Sequence, residues 1–155
     1  MSAFQPPAGY HSVTPYLIVQ DAKRAIEFYR QAFGATENMR LTMPDGKVGH
    51  AELQIGDSRI MLADEFPDMG AKCPASYGGT PVSLLLYVAD VDAAAERAVA
   101  AGATVKRPVA DQFYGDRSGV FVDPSGHNWS LATRKEDLSN EEMQRRFAQA
   151  MQKSE

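Results

Sequence analysis

The sequence predicts an α+β fold built from two copies of one β-α-β-β-β module, and three observations carry that prediction. Residues 14–36 (TPYLIVQDAKRAIEFYRQAFGAT) and 83–104 (SLLLYVADVDAAAERAVAAGAT) share a layout of alternating apolar strand, Asp, amphipathic helix and closing Gly-Ala-Thr. The closing glycines Gly34 and Gly102 lie 68 residues apart and the strand valines Val19 and Val88 lie 69 apart. A period of that length marks two supersecondary units, which can pack into a single domain with a cavity between them. Finally, each copy is followed by short runs of alternating hydrophobicity separated by turn residues, the signature of further strands.

Taken in order, residues 1–11 read as a tail. Val13, Leu17 and Val19 then alternate with Thr14, Tyr16 and Ile18, giving a strand with two distinct faces. Asp21 caps the first helix, where its carboxylate can accept an orphan amide of the first turn. Ile26, Tyr29 and Phe33 follow at helical spacing and Gly34 stops it. Strands over 37–43 and 47–55 are joined by Pro44-Asp45-Gly46, and a shorter strand runs from Arg59 to Ala63. Residues 66–81, rich in Gly and Pro, form a linker.

The second module, 82–134, repeats this order. A strand over 82–88 leads to an Ala-rich helix over 92–101, whose small side chains allow close approach to a sheet, and strands follow near 103–109, 118–122 and 127–132. Ser139 and Glu142 have the spacing of a capping box, and Met143, Phe147 and Met151 form a stripe on a C-terminal helix over 139–152. The first module spans 12–65, so 12–134 is expected to be one domain.

Composition excludes several function classes. A net charge of −4 and a pI near 5.4 leave no basic face for nucleic acid, and no apolar run approaches a membrane span of roughly 20 residues. The lone Cys73 rules out an internal disulfide, which fits a reducing, cytoplasmic location. No phosphate-binding Gly-rich loop, Ser-nucleophile elbow or CxxC pair is present.

Some residues stand out for chemistry. On the strand 48–55 the apolar Ala51, Leu53 and Ile55 turn His50, Glu52 and Gln54 to the opposite face. His50 and Glu52 could be a polar wall or dimer contact, a base with its orienting carboxylate, or two ligands of a metal. Tyr16, Leu85 and Tyr87 share strand faces with Thr14 and Ser83, an aromatic and mildly polar surface suited to a flat organic ligand. The loop Phe113-Tyr114-Gly115-Asp116-Arg117 reads as a salt-bridged turn between Asp116 and Arg117 or as a lid. Trp129 and Leu131 belong to the core, and His127 to a turn.

The paired modules, the Phe28-Tyr29-x4-Gly34 end of the first helix, and the Asp-Pro-Ser-Gly run 123–126 before the last strand resemble the vicinal oxygen chelate superfamily, the glyoxalase, bleomycin-resistance and dioxygenase group. The stretch from Phe113 to Ala132 is most similar to its PhnB-like branch. The resemblance covers roughly residues 12–134 and implies that the two modules form a curved mixed-sheet cup, helices outside and ligand inside. It also implies a homodimer.

Metal-dependent members carry a first-strand His and a last-strand Glu in each module, positions that fall here on Thr14, Met61, Ser83 and Ser130. Hydroxyls and a thioether do not substitute for imidazole and carboxylate at a divalent site. The expectation is therefore no metal and no cofactor, with a small organic ligand bound by Thr14, Tyr16, His50, Glu52, Met61, Ser83, Tyr87, Phe113, Tyr114 and Ser130. The alternative is a lyase or isomerase of the glyoxalase type with a displaced metal at His50 and Glu52.

Overall fold

The computed structural model describes residues 3–154. Strand β1 (Tyr16–Val19) leads through helix α1 (Ala22–Phe33) to β2 (Thr36–Thr42), β3 (Val48–Ile55) and β4 (Ser58–Asp64). After the one-turn helix α2 (Pro74–Tyr77), the order repeats as β5 (Ser83–Tyr87), α3 (Val91–Ala101), β6 (Thr104–Asp111), β7 (Asp116–Val122) and β8 (Asn128–Arg134), and α4 (Asn140–Lys153) closes the chain. Each module makes a four-stranded mixed sheet, ordered β1-β4-β3-β2 and β5-β8-β7-β6, with β1–β4 and β5–β8 parallel and the other pairs antiparallel. The duplicated α+β architecture with a C-terminal helix is thus observed. No helix of the described residues is long and apolar enough to cross a membrane.

Local sequence explains the elements. Asp21 and Asp90 accept the amides of Arg24 and Ala93, and Gly34 ends α1 in the left-handed region at φ 68°. The two modules also solve the helix start in parallel. The Asp64 carboxylate takes the Ala22 and Val48 amides at 2.7 and 2.8 Å, while the corresponding Thr133 hydroxyl takes the Val91 amide at 2.8 Å. Ser139 caps α4 through the Glu142 amide, but the Glu142 carboxylate pairs with Arg145 and Arg146 instead of returning to the cap.

The buried side chains of both modules form one core. Helix α1 supplies Ile26, Phe28 and Tyr29, and α3 supplies Ala94 and Ala98, whose small size lets α3 lie close to the second sheet. Tyr29 and Phe33 pack on Trp129, with ring centroids 5.4 and 4.7 Å away, so the core reading of Trp129 holds. The modules are further joined by the Gln20 amide on Ser125 Oγ and by His127 Nε2 on the Ile18 carbonyl at 2.8 Å, which makes His127 a satisfied turn histidine.

Three expectations are corrected. The first strand begins at Tyr16 and not at Val13; Val13 is exposed and Thr14 lies before the strand, because Pro15 has no amide to give to a ladder. The linker 66–81 is not turn throughout: a 3-10 turn (Pro67–Met69) and α2 occupy it, and Cys73 is fully buried there. Asp116 and Arg117 do not pair with each other. As neighbours on a strand they point to opposite faces, so Asp116 accepts from Tyr87 while Arg117 reaches Asp92 and Asp111.

Candidate functional site

Directly paired residues in a sheet share a face, so the registers Met39–Glu52, Glu52–Met61 and Tyr16–Met61 place these four side chains in one row. Leu41 and His50 form the next pair. This row is the face opposite α1, since Ala51, Leu53 and Ile55 on the same strand are buried. The alternation in the sequence was therefore a true guide to which side His50 and Glu52 occupy.

On that face four side chains form a hydrogen-bonded chain. Tyr16 Oη lies 2.8 Å from His50 Nδ1, His50 Nε2 lies 2.9 Å from Glu52 Oε2, and the Tyr10 hydroxyl donates to Glu52 Oε1. All four groups are satisfied when His50 donates from Nε2 to Glu52 and accepts the Tyr16 hydroxyl at Nδ1. The Tyr10 and Glu52 hydrogen bond, then His50, hold the Glu52 carboxyl below its ordinary 4.5. Burial, and the charge on Glu52, push the Tyr16 phenol up, so it stays a donor. Chemically the chain is a carboxylate that orients an imidazole, which in turn faces a phenol.

Beside this network a cavity of about 260 Å³ opens between the modules. Val13, Pro15, Ile55, Leu84, Leu85 and Trp129 make most of its wall apolar, with His11, Ser58 and Arg59 as the polar side chains. Arg59 links the two features, because its guanidinium lies 5.1 Å from the centre of the Tyr10 ring while its Nε donates to Gln54 at 2.9 Å.

The expected site residues fall into separate groups. Tyr16, His50, Glu52 and Met61 come together on the first sheet. On the second sheet Ser130 pairs with Leu85, Ser83 opens β5, and Tyr87 donates to Asp116 at 3.0 Å. Phe113 and Tyr114 line a shallow depression against α4, where Phe113 meets Phe147, and not the cavity. Thr14 Oγ1 donates to the His11 carbonyl. Tyr10, His11 and Arg59 were missed. The period of two could have given Arg59, two residues before Met61 on one strand, whereas Tyr10 and His11 sit in an irregular segment with no period to read.

Hydroxyls and a thioether, the donors that Thr14, Met61, Ser83 and Ser130 offer, do not suit a divalent metal. Among the described residues no three His, Cys, Asp or Glu side chains converge.

The model of the glyoxalase/bleomycin resistance protein/dioxygenase superfamily matches residues 9–131, and the chain belongs to that superfamily. An uncharacterised protein of Mycobacterium bovis is 48% identical over 136 residues, 86% of this chain and 90% of that one. Among solved structures, protein PA1353 of Pseudomonas aeruginosa is 28% identical with a TM-score of 0.65, covering 81% of this chain and 99% of the other. A fosfomycin resistance protein of Listeria monocytogenes, solved with Mn(II) and sulfate, shares the fold at 21% identity and a TM-score of 0.64, over 88% of this chain and 97% of that one.

The network sets a pH dependence for the Tyr10 contact. The lowered carboxyl of Glu52 means that this contact stabilises the fold above 4.5 and is lost as pH falls through the depressed value. The Tyr10 ring resonances in a proton NMR titration are expected to hold steady from neutral pH down to about 4.5 and to shift below it. His50, Tyr16 and Arg59 face the same carboxylate, so His50→Gln serves to separate the imidazole from the carboxyl. A Tyr10 signal equally unresponsive in the native chain and in Glu52→Gln would contradict the contact.

Proposed function

We propose that this protein binds a small organic molecule, a drug or metabolite, in a metal-free site completed by a second copy of the chain. The supporting observation is the apolar cavity between the modules, which sits beside a satisfied polar network. Such a combination of apolar wall and few convergent polar groups is what ligand sites use. At about 260 Å³ the cavity lies near the lower end of the roughly 300–1,000 Å³ usual for ligand sites, and a second chain would enlarge it. On the second sheet Leu85 and Tyr87 leave about half of their surface in water (52% and 54%), as Tyr16 does on the first (49%), surface that a second chain would cover. In this reading the chain is a cytoplasmic homodimer of the PhnB-like branch, and the free, buried Cys73 fits a reducing compartment.

Thermal-shift and equilibrium-dialysis screens against glycopeptide-type drugs, phenazines and aromatic metabolites test the reading. A compound that raises the melting temperature, with the shift reduced by substitutions around the cavity, is the expected result. Failure of every compound, together with a dimer structure in which the cavity is filled by the protein's own side chains, would sink it.

A second reading is favoured by the Tyr16–His50–Glu52 chain, which has the layout of a base with its orienting carboxylate. In that reading the protein is a lyase or isomerase of the glyoxalase type, with His50 moving a proton at Nδ1. Turnover of any ligand found in the screen, abolished by His50→Ala with binding retained, would favour it over simple sequestration.

A further inference from the structure

The segment before β1 has no regular structure, yet it is held in one place by a side chain that enters the polar network. Tyr10 gives its hydroxyl to Glu52 Oε1, the carboxylate oxygen that His50 does not use, and lays its ring over Arg59. The backbone is shaped for this approach. The Tyr10 amide bonds the Pro7 carbonyl at 3.0 Å, and Gly9 sits at φ 85° in the third position of that turn, where glycine is favoured. A Cβ on Gly9 would lie 2.6 Å from the Arg59 guanidinium, so the turn is pressed directly onto that side chain.

Read as recognition, the arrangement has a definite chemistry. A carboxylate acceptor selects a hydroxyl donor, a guanidinium facing an aromatic ring selects a flat π-system, and the carboxylate repels a second anion. Arg59 also lines the apolar cavity with Leu84, Leu85 and Trp129, a space of about 260 Å³ that would take the rest of a ligand. Tyr10 belongs to a segment outside the sheets and helices, anchored by side-chain contacts that a diffusible molecule can reproduce.

We propose that Glu52 and Arg59 form a subsite for an aryl hydroxyl group, and that Tyr10 of the same chain occupies it until a phenolic ligand displaces the segment. This rests on the reading of the cavity as a small-molecule site and names the chemical class that the site takes. The docked tyrosine is an internal competitor, and the apparent affinity for a ligand falls by the fraction of molecules whose subsite is free.

The test titrates the full-length protein with p-cresol and with 4-methylanisole, its O-methyl ether, by isothermal calorimetry. Tyr10→Ala is expected to bind p-cresol about tenfold more tightly than the native chain does, as it would if the segment were docked roughly nine-tenths of the time. It should also prefer p-cresol to the ether, and Tyr10→Ala combined with Glu52→Gln should lose that preference. Loss of the Tyr10–Glu52 contact should lower the variant's unfolding transition by only a few degrees and leave it cooperative, which checks that the fold is intact. If Tyr10→Ala binds both compounds alike, or p-cresol no more tightly than the native chain, the subsite is overturned while small-molecule binding stands. If it binds neither of these nor any compound of the wider screen, both readings fall.

Discussion

Asp123→Asn is expected to lower the unfolding free energy by about 3 kcal/mol, the largest loss among single near-isosteric changes in this protein. Asp123 is buried at the turn before β8, and each of its oxygens has two donors. Oδ1 accepts the Ser125 and His127 amides at 2.9 and 3.0 Å, which shapes the Asp-Pro-Ser-Gly turn. Oδ2 accepts the Tyr29 hydroxyl at 2.5 Å and Trp129 Nε1 at 3.0 Å, which ties α1 of the first module to β8 of the second. Asparagine keeps the shape but turns one acceptor into a donor. The Tyr29 hydroxyl can rotate to accept from it, but the indole N–H can only donate and is left buried without a partner.

Bonds to a buried charge contribute about 1.5–3 kcal/mol each, and an unsatisfied buried donor costs a further 1–3 kcal/mol or so. The melting temperature should therefore fall by roughly 6–12 °C. Tyr29→Phe, which removes one of the four donors and leaves the carboxylate three, should cost about half as much, at the low end of the range for one such bond. Urea denaturation of the two variants measures both values. A loss below about 1 kcal/mol for Asp123→Asn would show that the turn does not couple the modules.

The second large effect concerns assembly. Leu85→Asp is expected to convert the proposed homodimer to a monomer without unfolding the chain. Leu85 pairs in register with Ser130 and Ser130 with Val120, and it stands 52% exposed beside Tyr87 on the face turned away from the core. In one chain an aspartate there meets water and costs little. In an interface it would lose the burial of a leucine, about 2 kcal/mol, and add several kcal/mol for a desolvated carboxylate, so the dissociation constant should rise by at least about a thousandfold. Light scattering at micromolar concentration should give twice the 16.9 kDa chain mass for the native protein and 16.9 kDa for the variant. A native monomer, or a variant that stays dimeric, would place the interface elsewhere or remove it.

Much of the fold was legible because its determinants are close in the chain. Asp21 and Gly34 bracket α1, Asp90 and Gly102 bracket α3, and the alternation along β3 assigned Ala51, Leu53 and Ile55 to the core and His50 and Glu52 to the other side. The duplicated layout joined these pieces into a known architecture, and the residue types at Thr14, Met61, Ser83 and Ser130 carried the argument against a divalent metal. Where a local rule failed, a neighbour explains it, as Pro15 does by shortening β1 and the strand geometry does by separating Asp116 from Arg117.

By itself, then, the sequence determined the duplicated α+β fold and the element faces, since capping, periodicity and residue type act over a few residues. The tertiary structure alone decided that Tyr10 meets Glu52 across 42 residues, that Tyr16 meets His50 across 34, and that Arg59 stands between the network and the cavity. Those encounters depend on strand register and on the path of an irregular segment, both fixed by packing of the whole chain, and no local pattern encodes them.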